Sequence, residues 1–102
     1  MNEPGEIIAA VAAECGVTPD AITGRSRVAH IVEARSVAAW LLRRRLHWKW
    51  HAIGHALGGR HHSAALRGAA AIEYQFRQEE DVAPRLRKLM AATAERKDKE
   101  AT

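Results

Sequence analysis

An all-α fold, a small helical domain containing a helix-turn-helix, is what this 102-residue sequence predicts, and three observations carry it. Apolar residues recur at three- and four-residue steps along most of the chain, and no stretch alternates with the period of two that a strand needs. Alanine is abundant while the aromatics are three Trp, one Tyr and one Phe, so the core reads as helices packed closely through small side chains. The pair Gly58 and Gly59 separates two helical stretches, HAIGHAL before and RHHSAAL after, and supplies backbone freedom where a helix stops.

In chain order, residues 4 to 15 read as a helix with Pro4 in its first turn, Ile7, Ile8, Val11, Ala12 and Cys15 on one face, and Gly16 at its end. Thr18 reads as the N-cap and Pro19 as the first residue of a short helix that carries Val17 and Ile22 to the core. Thr23 to Arg27, TGRSR, is a polar loop with two readings: a solvated linker, or a basic loop resting on phosphates or reaching into a minor groove. A long helix from Val28 to Leu46 is lined by Ile31, Ala34, Val37, Ala38, Leu41 and Leu42, with Trp40 at the core edge. Arg35 falls on another face of it, where it could contact a phosphate. Arg43, Arg44 and Arg45 crowd the last turn, where cations suit the helix dipole.

HWKWH, His47 to His51, follows in place of an ordinary polar linker. Its two tryptophans are expected on different sides, one in the core and one partly exposed, able to pack on a deoxyribose or a partner protein. After the corner, Ala65, Leu66, Ala69, Ile72 and Phe76 mark the buried side of a helix from His62 to Arg77, kept slim by GAAA. An acidic linker, Gln78 to Asp81, leads to a last helix from Val82 to Lys97 with Leu86, Leu89, Met90 and Thr93 inward. One domain is expected over residues 1 to 97, then a charged tail at 98 to 102, with ERKDKEAT frayed.

The net charge of +4 is unevenly spread. Residues 1 to 24 hold four acids and no base, net −4; residues 25 to 67 hold nine bases and one acid, Glu33, net +8; the remainder is neutral, with seven of each. All six histidines also fall in the basic block. Such a block implies one positive face, which suits a polyanion such as duplex DNA.

Other classes find little support. One cysteine, Cys15, excludes an internal disulfide and a cysteine-based zinc site and reads as a small core residue. No signal peptide or membrane span is visible, because charged residues, Glu14 in the first helix and Arg or Lys beyond it, interrupt every apolar run, so a cytoplasmic location is expected. His47, His51 and His55 recur every four residues, and HAIGH has a spacing that suits zinc, but it lacks the glutamate of HExxH and a linker interrupts the helix. No metal is therefore expected. With no carboxylate pair, Ser/His/Asp set or activated cysteine, neither catalysis nor a cofactor is expected.

The segments SR at Ser26 and Arg27, IV at Ile31 and Val32, AR at Ala34 and Arg35, and above all IGHALGGRHHSAAL from Ile53 to Leu66, carry a resemblance. From about Pro4 to Met90 the chain resembles the C-terminal DNA-binding domain of the bacterial replication initiator DnaA, gap-free from Arg25 to Glu73. The family shows IG, two variable positions, a large apolar residue, GGR, an acid, His and two hydroxyl residues. The resemblance implies an all-helical domain of the Trp-repressor-like helix-turn-helix class, a double-stranded DNA partner and a nucleoid-associated location. It also implies a monomer, since the family module reads an asymmetric site and no heptad seam imposes a dimer.

Carried over residue by residue, Arg25 and Arg27 match the family's basic loop, whose arginine enters the minor groove. Arg35 and Arg60 match arginines that hold the DNA backbone, and Lys49 is expected to join them. His62 and Ser63 match the His and hydroxyl that reach bases in the major groove, with Arg67 farther along the same helix. The departures are His61 where the family has Asp, Ala64 where a second hydroxyl is usual, and His51 in place of a proline that contacts bases. An aspartate accepts from cytosine N4, whereas histidine more readily donates to guanine, so the recognised sequence should differ. The initiator's ATPase is missing: there is no GxxxxGK[ST], and no nucleotide is expected. The start MNEPGE and these departures point to a stand-alone phage, plasmid or regulatory protein rather than an isolated initiator domain. The rival reading is a protein-interaction module using the Trp48 and Trp50 surface.

Overall fold

The computed structural model describes residues 3–94, which form six helices and no strand. They are α1 (Pro4–Cys15), α2 (Pro19–Thr23), α3 (Ala29–Leu46), α4 (Trp50–Ala56), α5 (His62–Gln78) and α6 (Ala83–Ala92). The local signals explain most boundaries. Pro4 opens α1, and Gly16 closes it in the left-handed region at φ 69° with its N–H on the Ala12 carbonyl. Thr18 caps α2, its Oγ1 accepting from the Ala21 N–H at 3.0 Å.

Helix α3 is the central element, packing against α1, α2, α4 and α5. Ala34, Val37, Ala38, Ala39, Trp40, Leu41 and Leu42 are all buried, so its middle is apolar nearly all round, as a helix enclosed by others must be. Ile7, Ile8 and Val11 of α1, Ile22 of α2, Ile53 of α4, Ala65, Ala69 and Ile72 of α5, and Leu86 and Leu89 of α6 complete one core.

Several expectations change. Leu66 is 42% exposed, because the inward face of α5 runs through Ala65, Ala69 and Ile72, and the next residue round lies about 100° away. Trp48 and Trp50 are both half-buried against the core, rather than one in and one out. The three arginines ending α3 each have a separate partner beyond the dipole. Arg43 donates to the Trp48 carbonyl at 2.6 Å and lies over the Trp50 ring. Arg44 pairs with Glu73 at 3.2 Å and covers Trp40 and Phe76. Arg45 donates to Thr93 Oγ1 at 3.2 Å and to the Met90 carbonyl. That last contact takes up one carbonyl near the end of α6, which stops at Ala92 with Thr93 as its cap; the expected end at Lys97 lies outside the described residues. The tail ERKDKEAT lies outside the described residues.

Candidate nucleic-acid interface

Helices α4 and α5 meet at a corner built from glycine. Gly58 sits at φ 94° and Gly59 at φ 79°, and a Cβ on Gly58 would collide with the Thr23 carbonyl. A Cβ on Gly54, one turn back in α4, would likewise strike the Arg60 carbonyl, and its own carbonyl accepts from the Arg60 N–H at 2.8 Å. Only glycine permits both approaches. Together they turn the chain sharply enough to set the start of α5 beside α4.

That start is a cluster of imidazoles. His61 is the N-cap of α5, its Nδ1 accepting from the Ser63 N–H at 3.2 Å and lying 2.7 Å from Ser63 Oγ. The His62 ring stands between two others, 4.2 Å from His61 and 4.3 Å from His51 across the corner. Desolvation by its neighbours first, and the adjacent His61 and His51 second, hold His62 below the ordinary histidine pKa of 6.5. That shift favours the neutral imidazole, with one donor and one acceptor nitrogen. His51 and His61 are exposed, as are Arg67 one turn farther along α5 and Lys49 just ahead of α4. His47 closes α3 in a left-handed conformation at φ 56° and so does not share a helix with His51 and His55.

A second feature flanks this cluster. The loop from Gly24 to Val28 faces the corner across an open cleft of about 320 Å³ lined by Arg25, Arg27, Arg35, Arg60, Gly58 and Gly59. Arg25 and Arg27 are exposed. Arg60 reaches across it, donating to the Leu57 carbonyl at 2.9 Å and to the Gly24 carbonyl, and remains half-exposed.

Arg35 is the correction. Expected on an outer face and open to a phosphate, it is only 8% exposed. Its Nε donates to the Ile22 carbonyl at 2.6 Å, Nη1 to that of Ser26 at 3.1 Å, and Nη2 to those of Ala21 and Gly24, each at 3.2 Å. With all three nitrogens engaged, it organises the basic loop from inside. Burial first, then the neighbouring Arg60 charge, lowers its pKa from the usual arginine value.

The capping role of His61 was missed by sequence reasoning, although its position immediately before the helix was a usable signal. Of the expected residues, the fold thus gathers His51, His61, His62 and Ser63 at the head of α5, sets Arg25, Arg27 and Arg60 around the adjoining cleft, and withdraws Arg35.

An all-helical core with a glycine corner between two helices, and cationic residues on the exposed side of that corner, defines the DNA-binding helix-turn-helix class. The profile of the family described as bacterial DnaA protein helix-turn-helix matches residues 4–72, and the chain belongs to that family. Over 79 residues, 78% of this chain, it is 34% identical to the chromosomal replication initiator protein DnaA of Thermomicrobium roseum. It spans 17% of the length of that relative.

Proposed function

We propose that this chain is a sequence-specific reader of double-stranded DNA, related to the origin-box-binding module of the replication initiator and acting in replication initiation or its regulation, or in transcription control. The observation that carries the reading is the imidazole cluster at the head of α5, with the arginine cleft beside it on the same corner. In this reading α5 lies in the major groove with His61, His62 and Ser63 toward base edges and His51 at the groove edge. Arg60, Lys49 and Arg67 meet phosphates, and Arg25 or Arg27 enters the neighbouring minor groove. Function is binding without catalysis, by a monomer close to the chromosome.

The test is fluorescence anisotropy on a labelled duplex carrying the initiator's box, beside a shuffled duplex of equal composition, across a salt titration. Preference for the box supports an origin-box reader. Equal and salt-sensitive binding to both supports a module with its own site, which a selection would then define.

A groove between α3, α4 and α5, with an apolar floor of Trp40, Trp50, Leu66, Ala69 and Ala70 and with Arg43, Arg44 and Glu73 also lining it, favours a second reading, a contact with another protein. Such a contact would be nearly salt-insensitive, and absence of binding to either duplex would move the weight to it.

A further inference from the structure

The hydrogen bonds at the head of α5 limit what its side chains can offer a partner. A backbone amide only donates, so the 3.2 Å bond from the Ser63 N–H makes His61 Nδ1 an acceptor without a proton of its own. A neutral imidazole with a bare Nδ1 carries its proton on Nε2. The same Nδ1 lies 2.7 Å from Ser63 Oγ; having no proton to give, it shares its one lone pair between the amide and the serine hydroxyl hydrogen. Ser63 is left with oxygen lone pairs, and His61 with an N–H that no other described residue engages. The His62 ring lies against that of His61, centroids 4.2 Å apart and planes tilted by 33°, so this contact and the capping bond orient the ring before any partner arrives.

We infer that His61 and Ser63 form a reading pair of fixed polarity, a donor beside an acceptor. This inference rests on the duplex-DNA reading above. His61 Nε2–H selects a base edge that presents acceptors, guanine N7 and O6 foremost. Ser63 Oγ, its hydrogen already given to His61, selects an amino group, adenine N6 or cytosine N4. A serine with a free hydroxyl would accept either kind of edge; here the adjoining imidazole removes that ambiguity.

Two experiments on the full chain test it. Nitrogen-15 NMR of the imidazoles at about pH 8, where histidines are neutral, should show His61 as the Nε2–H tautomer. An Nδ1–H tautomer overturns the inference with no DNA in the sample. The second is selection from a randomised duplex library with the unaltered protein and with His61→Asp, a residue that also caps helices but offers acceptors alone. Helicity should be retained, while preference at one base pair moves from guanine toward cytosine by about tenfold and the rest of the motif persists. Ser63→Ala should relax a second position. An unchanged motif with His61→Asp overturns the reading pair and leaves the DNA-binding reading intact, whereas failure of the unaltered protein to retain any duplex overturns both.

Discussion

Arg35 donates to the carbonyls of Ala21, Ile22, Gly24 and Ser26, while Arg60, close enough for its charge to act on Arg35, bonds Gly24 and Leu57 and keeps part of its surface in the cleft. Substituting them should therefore give different outcomes. Arg35→Ala leaves several carbonyls without their donor, and urea denaturation should show a loss of about 3 kcal/mol or more. Arg35→Lys should recover only part of it, because an ammonium cannot span carbonyls placed for a planar fork. Arg60→Ala should weaken binding to all duplexes alike and make the salt dependence shallower by about one counterion. Unchanged affinity after Arg60→Ala would refute the docking described above.

Among the elements, the corner and the α3–α5 junction are the most exposed to single changes. Gly58→Ala combines a left-handed conformation with a collision against the Thr23 carbonyl, whereas Gly59→Ala meets open space and bears conformational strain alone. That strain costs about 1–2 kcal/mol, so thermal unfolding should show both variants destabilised and Gly58→Ala clearly the worse. At the junction, Glu73 accepts from Arg77 at 2.6 Å, from Trp40 Nε1 at 2.7 Å and from Arg44 at 3.2 Å. The Arg77 and Trp40 hydrogen bonds, in that order, hold its carboxyl below the ordinary 4.5. A depressed carboxyl stabilises the fold above its unfolded-state pKa and loses that contribution as pH falls through the folded one. Denaturation at neutral pH should therefore find Glu73→Gln less stable than the unaltered chain, with the gap closing as pH drops below 4.5. A gap independent of pH would mean that packing, not charge, holds α3 to α5.

For the whole molecule the governing quantity is the concentration of charge, nine bases and all six histidines within residues 25 to 67. Protonating histidines in mild acid adds positive charge to the face that carries the interface, so at constant salt the affinity for a shuffled duplex should rise between pH 8 and pH 6, roughly the histidine range, while discrimination falls. His62 itself resists that protonation, because desolvation and its two neighbouring rings hold its pKa below 6.5. Anisotropy across that range checks it; a flat affinity would remove the histidines from the electrostatics of binding.

By itself the sequence determined the class and most of the layout. Apolar spacing, Pro4, Gly16, Thr18 and the Gly58–Gly59 pair are local signals read by the backbone within a turn or two, and they place the helices to within a few residues except at the end of α6. The motif from Ile53 to Leu66, with SR, IV and AR ahead of it, pointed to the family whose profile matches residues 4–72. Only the tertiary structure decided which cations face outward. Arg35 finds its carbonyls 9 to 14 positions earlier, Arg60 bonds Gly24 across 36 positions, and Arg45 reaches α6 across 45 to 48. Periodicity reports which face of a helix is apolar, but a guanidinium can enter the interior wherever a folded neighbour presents unpaired carbonyls. Those neighbours exist only once the helices have packed.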